Sequence, residues 1–357
     1  MRTFETMQLT AAQQDIYLEG KLFGGVLNNI GGFQKYRCRL DITRFKRARE
    51  HVLLGNDAYR LRFHEEASEC HAVLSDQPPS ALRVLECPTE AAAQAWIQAQ
   101  FECAFADLSC EVFQDALISL PGDEYWYFAK AHHLMMDGWG FALQMQRILH
   151  AYEAQAHPAE EGYRRSYPSF AEYMERQASY RDSPQYAQNR IHWLARHERP
   201  AEPLFEPRSK ADDGTCSERV SVAFNTASVG ALHHLAGAAD ANLAAVFVSA
   251  LTVYFCRSYQ RSDIVIGSPV HNRRNAVDKD IIGSFVNVNA HRFDAPNDES
   301  FIQLLGQVAS VQRQDYRHSR YNQQGNADSA RRDRMRQRGG AEHLWLHPGA
   351  FDTSVRE

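Results

Sequence analysis

The chain has 357 residues, 44% of them hydrophobic and 23% charged, with a formal net charge of −5. That length is enough for two domains with buried cores, and the charge balance excludes a general attraction to nucleic acid or to an anionic membrane. Seven cysteines, an odd number with no C-x-x-C pair and no regular spacing, fit free thiols in a reducing compartment, so a cytoplasmic protein is expected rather than a disulfide framework.

The N-terminal stretch MRTFETMQLTAAQQ lacks the apolar core of a secretory signal, and Glu5 argues against an acid-poor transit peptide. Thr10-Ala-Ala-Gln13 forms a capping box that opens a helix carrying Ile16 and Tyr17. In DITRFKRAREHVL, Phe45, Ala48 and Val52 share one helical face, and AYRLRFHE then alternates in the manner of a strand. DALISLPGDEYWYFAKAHH predicts a hairpin: a strand to Leu120, a turn at Pro121-Gly122-Asp123, and a strand through Tyr125 to Ala131. Phe141, Met145, Ile148, Leu149 and Tyr152 recur at helical spacing, which leaves HHLMMDGWG as the loop between a strand and an amphipathic helix.

Residues 156–168 and 198–214 are rich in Pro, Glu, Asp and Gly, and they bracket one or two linking helices. A domain boundary is expected near residue 178. The second region opens on the alternating strand RVSVAF and continues through two helices to Tyr259. Its most apolar run, Asn242 to Cys256, is too short to span a bilayer and predicts a buried core helix. The strand DIVIGSPV and the extended GSFVNVNAHRF follow, and a helix from Ser300 sets Phe301, Leu304, Leu305, Val308 and Val311 on one face. Mixed helical and strand periods in both halves predict an α/β architecture of two similarly built lobes, residues 1–178 and 179–321. From residue 322 the chain turns arginine-rich, with no usable apolar period, and a disordered or aberrant tail over 322–357 is expected.

The loop KAHHLMMDGWG, residues 130–140, concentrates the candidate chemistry. His133 and Asp137 stand four apart and would suit a metal on a helix, but the strand before them and Gly138 after them predict a turn, and no third ligand lies nearby. An imidazole at a strand end suits a general base, its pKa lying near the working pH. A carboxylate turned inward onto an arginine would lock such a loop. His233-His234 mimics the pair, but its segment is helical and is assigned to structure.

The pattern H-H-x-x-x-D-G, carried by His132, His133, Asp137 and Gly138, resembles the signature of condensation domains of nonribosomal peptide synthetases, within the chloramphenicol-acetyltransferase-like acyltransferase superfamily. LTAAQQDIYL is similar to the family's opening segment through Thr10, Ala12, Gln13 and Tyr17. NDAYRLRF is similar to a second segment through Arg60 and Phe63, with Asn56 and Asp57 where the family has His-Glu. YPSFAEY from Tyr167 resembles the inter-lobe motif. IGSPVHNRR and IIGSFVNVNAHR resemble the second-lobe segments through Gly267, Asn272, Arg273, Gly283, Phe285, Asn287 and Arg292, and DYRHSRY from Asp315 resembles the start of the next one.

The resemblance implies two chloramphenicol-acetyltransferase-like lobes of mixed sheets flanked by helices, set in a V around a tunnel. It implies an acyltransferase of secondary-metabolite biosynthesis, in which donor and acceptor peptidyl carrier proteins present thioesters on 4'-phosphopantetheine arms and an amide bond forms. It implies no intrinsic cofactor and no metal. His133 would be the catalytic histidine, acting as base or by orienting the amine. Asp137 would be a structural carboxylate with Arg273 as its partner across the lobes, Gly138 would allow a tight turn and present its N–H to an oxyanion, and His132 would be structural. Arg60 and Asn287 fall at structural or inter-lobe positions. Adenylation domains of the same synthetase are expected partners; nucleic acid and membrane are not. After Tyr321 the pattern departs from the family, so a second lobe left incomplete by C-terminal truncation is expected. A stand-alone acyltransferase with a free amine or alcohol acceptor, and a non-catalytic remnant, are the alternative readings.

Overall fold

The computed structural model describes residues 6–321, apart from 24, 67–68, 156–166, 203, 205–219 and 296–298; the expected tail lies outside the described residues. By packing, the chain divides into two compact units, one of residues up to 182 together with 273–286, the other of 183–272 together with the residues from 287 on.

In the first unit the chain runs β1 (Met7–Gln8), α1 (Ala11–Phe23), β2 (Asn29–Arg37), α2 (Ile42–Leu54), β3 (Leu61–Glu66), β4 (Glu69–Leu74), β5 (Arg83–Glu86), α3 (Glu90–Glu102), β6 (Phe113–Leu120), β7 (Glu124–His132), α4 (Gly138–Ala154) and α5 (Phe170–Tyr180). The second unit holds α6 (Pro184–Arg196), α7 (Thr226–Ala238), α8 (Leu243–Tyr259), β8 (Asp263–Val270), β9 (Asn287–Asp294) and α10 (Phe301–Arg317), while the single-turn α9 (Ala276–Lys279) falls in the first.

A mixed four-stranded sheet in the order β2-β7-β6-β5 organises the first unit, with β5 parallel to β6 and the other pairs antiparallel. β7 lies inside it and is buried on both faces, which is why its sequence is apolar and aromatic from Tyr125 to Ala129 rather than alternating; the buried Lys130 beyond that run donates to the Gln100 and Cys103 carbonyls at 2.7 and 2.9 Å. Trp126 and Phe128 join the core that includes Ala93 and Ile97 of α3. Tyr127, Ala129 and Ala131 point the other way, into the core shared with Phe45, Ala48 and Val52 of α2 and Ile148 of α4. The period of two in the strand thus divides one apolar run between two cores. A buried polar chain ties this second layer together: Arg49 holds Asp115 through two bonds of 2.8 Å, Tyr127 donates to Asp115 at 2.7 Å, Gln144 to the Tyr127 hydroxyl oxygen at 2.8 Å, and Tyr59 to Gln144 at 2.9 Å.

The predicted capping box forms, with Thr10 N–H donating to Gln13 Oε1 at 3.0 Å and Gln13 N–H to Thr10 Oγ1 at 3.2 Å. The hairpin turns where expected, and Gly122 and Asp123 take positive φ of 81° and 59° there.

Four local expectations are corrected. Residues 58–60 wind into a 3-10 turn before β3 begins, because Asp57 points away to cap α5, accepting from the N–H of Phe170 at 2.9 Å and of Ala171 at 3.1 Å. Leu149 is exposed on α4 rather than core. RVSVAF forms no ladder in its described part, 220–224, and Val220 and Val222 stand 86% and 73% exposed; the pattern is that of a strand, but no described strand pairs with it. Of GSFVNVNAHRF, only Asn287 onward is strand.

The domain division also differs in its details. The break comes after α5, and the excursion 273–286 packs with the first unit, because Ile281, Ile282 and Phe285 enter its core and Arg273 is drawn to Asp137. The second unit packs Val246, Val248 and Phe255 of α8 and Leu305 and Val308 of α10 against Ile264, Ile266 and Phe293 of the antiparallel β8–β9 pair. Asp315 of α10 is its buried polar centre, bonded by His291 at 2.8 Å and by His192 and Arg196 at 2.9 Å each. Burial pushes the Asp315 carboxyl up, but the hydrogen bonds from His291 and His192 and the charge of Arg196 outweigh it and hold the group below its usual range.

Candidate active site

β7 ends at His132, and β2 beside it starts at Asn29, directly opposite. The backbone therefore leaves the sheet at His133, whose N–H donates to the Asn28 carbonyl at 2.8 Å. His132 is buried, 3% exposed, with its ring edge-on to Phe105. Its Nδ1 accepts the Leu134 N–H at 3.2 Å, which fixes the proton on Nε2. Burial, with the neighbouring His133, lowers its pKa to about 4, so His132 stays a neutral structural ring.

Asp137 is fully buried and caps α4, accepting the Gly140 N–H at 2.9 Å. Arg273 closes on it with bonds of 2.7 and 3.0 Å, and the N–H groups of Phe285 and Val286 reach Oδ2 at 3.0 and 3.3 Å. Arg273 is itself 1% exposed, donates to the Gly283 carbonyl at 3.1 Å, and lies over the Phe285 ring at 4.1 Å. With donors on both oxygens, the carboxylate has no capacity left for a substrate. The pair expected to cross between lobes is internal to the first unit, since 273–286 packs there.

Gly138 is the first residue of α4 and is exposed. Its expected role in a tight turn is corrected: it has no positive φ, and a Cβ there would meet nothing within 4 Å. Glycine is needed elsewhere, at Gly283, where a Cβ would stand 2.2 Å from the Phe170 ring. Gly283→Ala is expected to cost about 1–3 kcal/mol by overpacking, read as a lower urea midpoint, because Phe170 is itself fully buried and has no room to yield. Trp139 is exposed at the start of α4, its Nε1–H donating to the Lys279 carbonyl at 2.9 Å.

The remaining sequence candidates do not join this set. Arg60 reaches the Ser75 carbonyl at 3.4 Å, and Asn287 belongs to the second unit, where it donates to the Ser319 carbonyl at 3.1 Å. Asn56 accepts from Arg147 at 2.6 Å and Asp57 caps α5, so the positions where the family carries His-Glu are engaged in structure. His233 and His234 are exposed on α7. Two residues of the setting have no site role in the sequence reading, which gives Gln13 only a cap and a place in the opening segment and does not single out Asn28. Gln13 donates from Nε2 to the Leu134 carbonyl at 2.7 Å, and Asn28, besides receiving His133, donates to the Ile16 carbonyl at 3.1 Å. Among the described residues no group of three or more His, Cys, Asp or Glu side chains is placed to hold a metal ion, and no single helix is long and apolar enough to cross a bilayer.

Known proteins resemble the chain in both sequence and fold. The dimodular nonribosomal peptide synthase of Bacillus subtilis (strain 168) is 24% identical over 318 residues, and surfactin synthase subunit 1 of the same organism is 23% identical over 322. Both matches cover 88% of this chain but only 13% and 9% of those relatives, so the chain spans about a tenth of their length. Among solved structures, a starter condensation domain of rhizomide synthetase superposes with a TM-score of 0.77 at 25% identity, covering 91% of this chain and 76% of that one. The first condensation domain of the calcium-dependent antibiotic synthetase gives 0.77 at 21% identity, over 94% and 79%. The likeness in fold therefore extends over nearly the whole chain. With the condensation-domain family model matching residues 4–337, the chain belongs to the condensation-domain family.

Proposed function

We propose that the chain forms an amide bond between a carrier-bound acyl or aminoacyl thioester and a carrier-bound amine, with His133 as the group that acts on the amine. One observation carries the assignment: of the three ionisable groups in the motif, only His133 retains exposed surface. His132 is buried and neutral, and Asp137 is buried and saturated with donors.

In this reading the amine nitrogen attacks the thioester carbonyl carbon, and His133 accepts the proton the nitrogen loses. The carbonyl oxygen gains the negative charge, the C–S bond then breaks, and the departing thiolate is reprotonated. Open space at Gly138 lets the developing oxyanion approach the first turn of α4, where backbone N–H groups favour negative charge. The arms would be 4'-phosphopantetheine on donor and acceptor carrier proteins, with adenylation domains of the same synthetase loading them in the cytoplasm. The dimodular and surfactin synthases, as relatives, and a starter condensation domain bound to a CoA derivative support acyl thioesters as the substrate class.

The test is product formation, followed by mass spectrometry, from a panel of acyl and aminoacyl carrier-protein thioesters. His133→Ala is expected to lower the rate by about 10²–10⁴-fold, the usual contribution of a positioned acid–base group. A variant that works at the wild-type rate overturns the assignment. Turnover of a free amine or alcohol without its carrier would instead identify a stand-alone acyltransferase.

A further inference from the structure

We infer that Gln13 is a positioning residue for His133, holding the loop from the far side of the fold. Gln13 is fully buried at the third position of α1 and makes two different bonds. Its Oε1 accepts the Thr10 N–H and closes the capping box. That half of the job a glutamate performs equally well, since a capping box asks only for an acceptor at this position. The other half needs an amide. Gln13 Nε2 donates at 2.7 Å to the carbonyl of Leu134, the residue after His133 and 121 positions along the chain.

The bonds around His133 show what this one controls. Asn28 fixes the His133 N–H, and His132 Nδ1 fixes the Leu134 N–H. Gln13 fixes the Leu134 carbonyl, so the peptide planes on both sides of Leu134 are held by side chains of different elements. Leu134, Met135 and Met136 are all fully buried, which leaves the loop no water to replace a lost bond. The N–H of the same peptide, from Met135, donates to the His132 carbonyl at 2.9 Å, so releasing the carbonyl leaves the plane hinged on that one bond, and its tilt carries the adjacent imidazole off its line. A displacement on the order of 1 Å at a reacting group costs about 10²-fold in rate.

The inference rests on His133 as the reacting group, and the experiment separates the two. Three variants are compared with wild type and with His133→Ala. Gln13→Met removes both bonds at nearly constant volume, Gln13→Glu keeps the cap acceptor, and Thr10→Ala removes the Thr10 Oγ1 acceptor while leaving the Leu134 bond intact. Gln13→Met is expected to lower kcat by about 10–100-fold with KM for the donor thioester unchanged, and Thr10→Ala to lower the melting temperature with kcat unchanged. Gln13→Glu carries a pH signature. Its protonated acid can donate to the Leu134 carbonyl and its carboxylate cannot, so kcat of this variant alone falls as pH rises through the raised pKa of a buried carboxyl.

A second readout needs no turnover. Modification of His133 by diethyl pyrocarbonate, measured by peptide mass spectrometry against the exposed His233 and His234, is expected to change at least about threefold in Gln13→Met, a shift of roughly 0.6 kcal/mol or more, and not in Thr10→Ala. Unchanged kcat and an unchanged modification ratio in Gln13→Met overturn the inference, even with His133→Ala inactive. Full activity in His133→Ala overturns the proposed function, whatever Gln13 does to the ratio.

Discussion

Arg273→Ala lowers the stability of the first unit by about 3–5 kcal/mol, the cost of leaving a buried charge without its partner. Arg273 and Asp137 have no exposed side-chain surface, so the carboxylate left behind stays inside the fold without its counter-charge. The N–H groups of Gly140, Phe285 and Val286 still reach Asp137, but they are dipoles and do not neutralise it. Arg273→Lys rescues little, because an ammonium cannot span both oxygens at 2.7 and 3.0 Å while also reaching the Gly283 carbonyl. The double variant Asp137→Leu with Arg273→Met falls well short of the sum of the two single losses, since removing both charges removes the uncompensated one. Urea titration followed by tryptophan fluorescence, with Trp126 fully buried in the same unit, measures each variant and the two single substitutions of the double. A loss below about 1 kcal/mol for Arg273→Ala would mean the lock behaves as a surface pair and does not hold the loop.

Local signals are legible in the sequence because each depends on neighbours a few residues away. The capping box at Thr10 and Gln13, the Pro121-Gly122-Asp123 turn and the buried face of α2 are set by spacing alone. The doubly buried β7 shows as the apolar run of residues 125–129, and the loop after it by its glycines. What spacing cannot reveal is the partner of a polar group across the chain. Gln13 reads as half of a cap, and nothing nearby announces that its amide ends on Leu134. Arg273 is reachable through family resemblance, yet chain order assigns its segment to the other packing unit, since the pull of Asp137 acts over 136 positions. RVSVAF marks the converse limit: alternation specifies a face, and a ladder also needs a neighbouring strand. Gly138 misleads for a related reason, because glycine suggests a turn whether or not the backbone needs one.

Between pH 6.5 and 4 the first unit loses about 3 kcal/mol through His132 alone, taking about 1.4 kcal/mol per unit of pKa shift. The folded-state pKa of about 4 lies below the ordinary histidine value of 6.5. A depressed pKa means that the folded state resists the proton the unfolded chain accepts. The contribution is therefore complete above pH 6.5 and drains away as pH falls toward 4. Other groups overlap the window. His51 and His197 are also lowered by burial and act in the same direction, while burial raises Glu19 and Asp115, which act in the opposite one. The prediction is accordingly a difference. His132→Asn keeps an acceptor for the Leu134 N–H and removes the titration, so wild type minus variant rises with pH across this range and is flat above it. Parallel stability curves would show that His132 does not carry the dependence. The same bond links stability to chemistry, because a protonated Nδ1 can no longer accept the Leu134 N–H. Acid then loosens the loop at His132, and in His132→Asn the loop no longer responds, so the part of an acid loss of activity that this variant abolishes is the part His132 carries.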